Sequence, residues 1–175
     1  SVKRMLAYSS IAQAGFMMLA VFAMNAAAKE GILLYAAAYS LATIGIFAVL
    51  IKMSDYTFEG FNGFAKQQPF LAATTTICLL SLAGIPLTAG FLSKFYMLKA
   101  TMDAGNYTWL VIFAVLMAAV SVYYYFRVIQ AMYFREGNAG QFEVSSSFKW
   151  MHAGLCALII VLGTWPDLLI KWLYF

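Results

Sequence analysis

A chain of 175 residues that is 64% hydrophobic and only 10% charged is far from a soluble domain, which is about 45–50% apolar and about 25% charged. One histidine, two cysteines and no cluster of acids point away from a protein-built metal or haem site. The net charge of +4 is spread along the chain at the ends of apolar runs, as membrane anchoring requires, and so indicates no nucleic-acid partner.

Crossing a hydrocarbon layer of about 30 Å takes about 20 apolar helical residues. Runs that meet this need are predicted at 5–24, 31–51, 69–100, 107–134 and 150–172. Charge and helix breakers collect in the connections at 25–30, 52–68, 101–106 and 135–149. The runs are continuously apolar, without the alternation of a membrane β-barrel strand, and in lipid each backbone polar group must be satisfied within its own segment. The expected fold is therefore all-α: a polytopic membrane helix bundle of five transmembrane helices, the third discontinuous, in a single membrane domain over 1–175.

Lys3, Arg4, Lys52, Lys66, Arg127, Arg135 and Lys149 flank the spans on the side of the amino terminus, against Lys29, Lys99 and Lys171 on the other. Cytoplasmic loops gather Lys and Arg, so the start of the segment is expected in the cytoplasm. After an odd number of crossings the carboxyl terminus lies outside. The chain opens at Ser1 without an initiating methionine and reads as a piece of a longer protein.

As one helix the third run would be about 48 Å long at 1.5 Å per residue. Gly84-Ile85-Pro86-Leu87-Thr88-Ala89-Gly90 interrupts it. Pro86 removes a backbone donor and pushes Ile85 away from helical angles, and Gly84 and Gly90 weaken the helix on either side. Two half-helices joined by an unwound stretch near 84–90 are expected. Such backbone survives at membrane depth only inside protein or beside a watery cavity, and it marks ion and substrate sites in transporters.

Lys94 follows Pro86 by eight residues. A charged lysine at mid-membrane costs at least about 2.5–3.5 kcal/mol, and burial disfavours its charged form. One reading makes it a proton relay, a role closed to arginine. The other lets it snorkel to the headgroups, with Lys99 beside it as a second anchor.

Three polar pairs share helix faces at four-residue spacing: Ser9 with Gln13, Tyr39 with Thr43, and Ser121 with Tyr125. Each pair either hydrogen-bonds between helices or holds a chain of waters. The run Tyr123-Tyr124-Tyr125 before Arg127 reads as an interfacial aromatic belt. His152, near the start of the last span, is expected at the interface. Cys78 and Cys156 are expected to be small packing residues.

Lys3-Arg4-Met5-Leu6-Ala7-Tyr8-Ser9-Ser10-Ile11 resembles the K-R-x-L-A-Y-S-S-I motif of the antiporter-like subunits of respiratory complex I. Gly84-Ile85-Pro86, continuing through Gly90-Phe91-Leu92-Ser93-Lys94-Phe95-Tyr96, resembles the G-I/L-P-x-x-x-G-F-x-x-K-F/L-Y element in their broken twelfth helix. Tyr123 to Arg127 resembles the Y-Y-Y-L-R/K end of their thirteenth. These motifs, in this order, span nearly the whole chain. The tyrosine run and Lys94 are most similar to the N type, the counterpart of mitochondrial subunit 2.

The resemblance implies that these are the tenth to fourteenth helices of a subunit that translocates protons in the membrane arm of an NADH:quinone oxidoreductase. Lys94 would be the terminal relay lysine. It implies other membrane subunits of the complex and the lipid bilayer as partners, and a bacterial inner membrane as the location. It implies no redox chemistry and no cofactor in this chain, with flavin, iron–sulfur clusters and quinone in partner subunits. One departure matters: the family pattern S-S-I-S-H-L-G-Y stands here as Ser9-Ser10-Ile11-Ala12-Gln13-Ala14-Gly15-Phe16, and Gln13 cannot titrate where the histidine can. Two other functions share the fold: a subunit of a multi-subunit cation/proton antiporter, and a purely structural membrane-arm subunit.

Overall fold

A computed structural model describes residues 1–137, 139 and 142–174, and among these every regular element is a helix. In chain order they are α1 (Val2–Ala23), α2 (Ala26–Lys52), a 3-10 turn at Glu59–Phe61, α3 (Phe64–Gln67), α4 (Pro69–Ala83), α5 (Ala89–Asp103), α6 (Thr108–Phe134), α7 (Ser146–Thr164), α8 (Asp167–Ile170) and a final 3-10 turn at Lys171–Tyr174. Helices α1, α2, α6 and α7 are long and apolar enough to cross a membrane. The run expected at 69–100 is divided between α4 and α5, of 15 residues each.

Local chemistry sets these boundaries. Asn25 caps α2, accepting the N–H of Ala28 at 2.9 Å, and donates its own amide to the Ala100 carbonyl at 2.8 Å. Pro69 opens α4, where its missing N–H costs nothing. Gly84 closes α4 in the left-handed region at φ 81°. Thr88 caps α5 through the N–H of Phe91. Between the caps, Leu87 also adopts a positive φ of 73°, a conformation that strains a branched side chain.

Two expectations need correction. Gly90 is not in the unwound stretch, which covers only 84–88; it lies in the first turn of α5, because the Thr88 cap starts the helix ahead of it. The last run does not continue through 150–172. Helix α7 begins earlier, at the Ser145 cap, and stops at Thr164, since Pro166 forbids continuation; α8 then starts afresh.

Long-range hydrogen bonds sort the connections into two ends. At one, the Val2 N–H meets the Tyr56 carbonyl at 2.8 Å, Gly63 donates to Ala131 at 3.3 Å, and the Gln68 amide donates to Phe142 at 3.1 Å. At the other, Asn25 meets Ala100, the Phe22 and Tyr107 rings lie 4.6 Å apart edge to face, and Tyr174 donates to Glu30 at 2.5 Å. Helix α4 leaves the first end and α5 reaches the second.

Lipid is as apolar as leucine, so close packing has to hold such helices together. One buried cluster, including Val49, Phe64, Leu71, Leu79, Met132 and Ile159, joins α2, α4, α6 and α7. A smaller one, around Phe16, Leu19, Tyr35 and Met97, joins α1, α2 and α5. Between them lies a polar seam.

Candidate functional site

The last carbonyls of a helix have no partner within it. At the end of α4 the Leu80 carbonyl takes the N–H groups of Gly84 and Ile85, both at 3.0 Å. The Leu82 and Ala83 carbonyls are met instead by Lys94, reaching back from α5, whose Nζ donates to them at 2.8 and 3.2 Å. The side chain is 7% exposed. It acts as the cap of another helix and does not reach outward as a snorkelling lysine would.

Three features offset the cost of a buried ammonium. The carboxyl end of α4 carries the negative end of the helix dipole. Its carbonyls accept charge-assisted hydrogen bonds. The Phe16 ring presents its face 5.1 Å from Nζ. Two glycines make this geometry possible. A Cβ on Gly84 would come within 2.9 Å of Lys94 Cδ, at a φ that already favours glycine, and one on Gly90 would come within 1.8 Å of the Ser81 carbonyl oxygen. Gly90 thereby lets the start of α5 lie directly on the last turn of α4.

A hydrogen-bonded network runs from this cap into α1, α2 and α6. The Gln13 amide nitrogen donates to the Leu82 carbonyl at 3.1 Å and to the Tyr125 hydroxyl at 3.0 Å. The Gln13 oxygen accepts from the Tyr35 hydroxyl, and the Ser9 and Tyr125 hydroxyls are hydrogen-bonded to each other. A backbone carbonyl only accepts, so the amide nitrogen must be the atom that faces Leu82; this fixes the amide's orientation. Every polar atom of Gln13 is satisfied, which suits a side chain 2% exposed.

Two cavities of about 10 Å³ each lie on either side of Tyr39 and Leu82, a size that takes one water molecule. The first is lined by Lys94, Gln13 and Tyr35 together with Ser81 and Ser93. The second is lined by Ser9 and Thr43 among apolar groups. Tyr39 belongs to both.

Of the residues singled out in the sequence, Ser9, Gln13, Tyr125 and Lys94 thus form one hydrogen-bonded group around the break at Gly84 and Pro86. Tyr39 and Thr43 line the adjoining cavities. Ser121 stands apart: its hydroxyl donates to Ala118 in its own helix at 2.6 Å. The tyrosine run is split by helix geometry, Tyr123 lying exposed while Tyr125 is fully buried. Tyr35 was missed, although it lies four residues before Tyr39 on the same face of α2. Ser81 and Ser93 were missed because single serines in apolar runs carry no pattern. His152, expected at the interface, is fully buried, since α7 turns that face onto its neighbours. Cys78 and Cys156 are buried, as packing residues should be.

Residues 1–121, more than half of the chain, match the family described as NADH:quinone oxidoreductase/Mrp antiporter, TM. The chain belongs to this family. Within the NADH:quinone oxidoreductase/Mrp antiporter family it is 39% identical over 176 residues to NADH-quinone oxidoreductase subunit N of Cytophaga hutchinsonii, which covers 98% of this chain and 38% of that relative. The chain therefore spans well under half the length of such a relative. A chain in the structure of respiratory complex I from Thermus thermophilus with bound aureothin superposes with a TM-score of 0.82 at 31% identity, covering 95% of this chain and 38% of that one. A chain of the Mrp complex from Dietzia sp. DQ12-45-1b superposes with a TM-score of 0.81 over 95% of this chain and 40% of that one, at 16% identity, a likeness of fold alone. This family member is a multi-pass membrane protein, and its structural neighbours are parts of multi-subunit complexes.

Proposed function

We propose that the chain is the carboxyl-terminal, five-span part of the N-type antiporter-like subunit of a proton-translocating NADH:quinone oxidoreductase, with Lys94 as its proton relay. In this reading α4 and α5 together make one interrupted crossing, supported by their running from one end of the bundle to the other. The subunit sits in a bacterial inner membrane among other membrane subunits, with the end bearing Lys3, Lys52 and Lys149 in the cytoplasm. Flavin, iron–sulfur clusters and quinone belong to partner subunits, whose electron transfer drives the cycle.

One observation carries the reading: among the described residues, a buried lysine amine gives its hydrogen bonds to the carbonyl end of an interrupted helix, beside a water-sized cavity. A lysine so placed gives its proton to that cavity when its surroundings turn more positive and regains it when they relax. Ser81, Ser93, Tyr35 and Tyr39 order the water that moves the proton. Gln13 and Tyr125 hold the Leu82 carbonyl in place as the amine's charge changes. Ser9 and Thr43 lie further along the same polar seam.

The test is Lys94→Met in the assembled complex, measuring proton translocation together with electron transfer. Translocation at the parent ratio of protons to electrons sinks the relay reading.

A second reading, a subunit of a multi-subunit cation/proton antiporter, is favoured by the family description, which joins NADH:quinone oxidoreductase with Mrp antiporter. Flavin and iron–sulfur absorbance in the purified native complex separates the two. A purely structural role predicts full activity in Lys94→Met.

A further inference from the structure

His152 has none of its surface exposed, and among the described residues neither of its ring nitrogens has a hydrogen-bond partner. One side of the ring lies against Phe148, centroids 4.8 Å apart. A neutral imidazole carries one donor and one acceptor, and burying either of them unmet is destabilising. Leucine or phenylalanine would fill the same space without that cost. The position therefore asks for something that bonds to the ring.

The Thr75 and Thr43 hydroxyls are likewise buried without a partner among the described residues. Helices α4 and α7 run side by side in one direction. Gln68, at the start of α4, donates to Phe142 just ahead of α7, and further up Cys156 donates to the Thr74 carbonyl at 3.4 Å. His152 comes one turn before Cys156, and Thr75 one turn before Cys78, whose thiol faces that of Cys156. The two residues thus stand at nearly the same height. Helix α2 runs the opposite way, and a Cβ on Gly45 would come 2.7 Å from Cys78 Sγ. This puts Thr43 above the thiols, one turn from Tyr39. From the charged end inward the order is His152 with Thr75, then Thr43, then Tyr39 and the cavity of Lys94. Thr75 and Leu82 are separated by about 10 Å of helix rise.

Beneath His152 a cleft of about 770 Å³ opens at the charged end, lined by Lys66, Gln68, Phe142, Glu143 and Lys149. Lys149 is one turn before His152, about 5 Å along the helix. Charged groups facing this side include Lys66, Glu143 and Lys149 in the cleft and Lys52 of α2, whose amine lies 5.8 Å from the Phe148 ring.

We propose that His152 is a proton-uptake station, taking protons from the water of this cleft and passing them through water bound at Thr75 and Thr43 to the cavity beside Lys94. The proposal rests on the relay reading of Lys94 and on the orientation that puts the cleft in the cytoplasm. In each cycle one ring nitrogen accepts a proton from cleft water and the other releases its own inward. The ring returns to neutrality as the opposite tautomer, a flip of the ring restores the starting arrangement for the next proton, and no electrons move.

The experiment compares His152→Leu, His152→Gln and Lys94→Met in the complete complex, reconstituted in vesicles. His152→Gln keeps a polar side chain of similar size, so assembly does not depend on tolerating leucine. Both His152 variants are expected to lose as much translocation per electron as Lys94→Met. Parent-level translocation in His152→Gln alongside a defective Lys94→Met overturns the uptake role and leaves the lysine reading intact. Parent-level translocation in all three variants overturns both. A second measurement needs no turnover. In a complex carrying Cys78→Ala and Cys156→Ala, His152→Cys should react with Ag⁺ added on the cleft side; an inert thiol overturns the proposal.

Discussion

Gln13 and Lys94 donate to the same carbonyl oxygen, that of Leu82, at 3.1 and 2.8 Å. An uncharged amide and a titratable amine therefore share one acceptor, and a change in either is felt by the other. With Tyr35 and Tyr125 bonded to the amide, the shared carbonyl ties three helices, α1, α2 and α6, to the interruption between α4 and α5.

Replacing Gln13 by leucine should be costly. The Tyr35 hydroxyl would lose its partner and the Tyr125 hydroxyl one of two, at about 1–3 kcal/mol for each buried group left unmet. The expected outcome is a lower melting temperature of the purified complex. Gln13→His retains a ring donor and acceptor and should restore most of that loss; equal melting of the two variants would refute the hydrogen-bonding role.

Lys94→Arg separates charge from proton exchange. Arginine keeps a cation on the Leu82 and Ala83 carbonyls but holds its proton at any accessible pH. The complex should assemble while translocation falls by at least about tenfold, as removal of a proton-transferring group commonly causes. Normal translocation with arginine would mean that a fixed charge is all the site needs.

The two glycines at the interruption should differ in severity. Gly84→Ala meets the flexible stem of Lys94 at 2.9 Å and a left-handed φ, for which about 1–3 kcal/mol is expected. Gly90→Ala meets the Ser81 backbone at 1.8 Å, which cannot yield without separating α5 from α4. Membrane levels of assembled subunit should therefore fall further for Gly90→Ala; the opposite order would contradict the packing described.

Tyr125→Phe and Ser121→Ala test which of two hydroxyls one turn apart on α6 belongs to the network. Tyr125→Phe strips a partner from both Gln13 and Ser9 and should destabilise by about 1–3 kcal/mol. Ser121→Ala removes only a bond within its own helix and should stay within about 0.5 kcal/mol. Thermal melting of the two variants is the measurement.

Outside the membrane, the backbone N–H and hydroxyl of Thr57 donate to the Asp55 carboxylate at 2.8 and 2.9 Å. These bonds hold its pKa below the ordinary carboxylate value. Their contribution is complete above the unfolded-state pKa and is lost as pH falls through the lower, folded value. Acidification should therefore loosen the turn between α2 and α3, seen as faster proteolytic cutting there. Asp55→Asn should cut fast at every pH.

Much of this was legible in the sequence, because apolar run length, Pro86 and the flanking glycines act locally. The same holds for Lys94, whose charge stands out in an apolar run. Partner choice was harder to read. Tyr125 reads both as the partner of Ser121 on one helix face and as one of three belt residues, and only the rotation of α6 separates it from Tyr123. Ser121 and Thr43 fitted the same spacing rule as Gln13, but spacing along a helix says nothing about which neighbour supplies the acceptor. Tyr35 became visible only once α2 was set against α1. His152 stands near a helix start, but its place along a span does not determine which way the side chain faces, and only the rotation of α7 shows it buried.

A lysine that closes the end of a neighbouring helix converts charge into force. On the relay reading proposed above, its proton clamps the two halves of an interrupted rod together, and loss of that proton slackens the clamp. On that reading the joint and the proton-carrying group are the same few atoms, so mechanical strain arriving from elsewhere in an assembly would change this amine's hold on its proton without touching it directly.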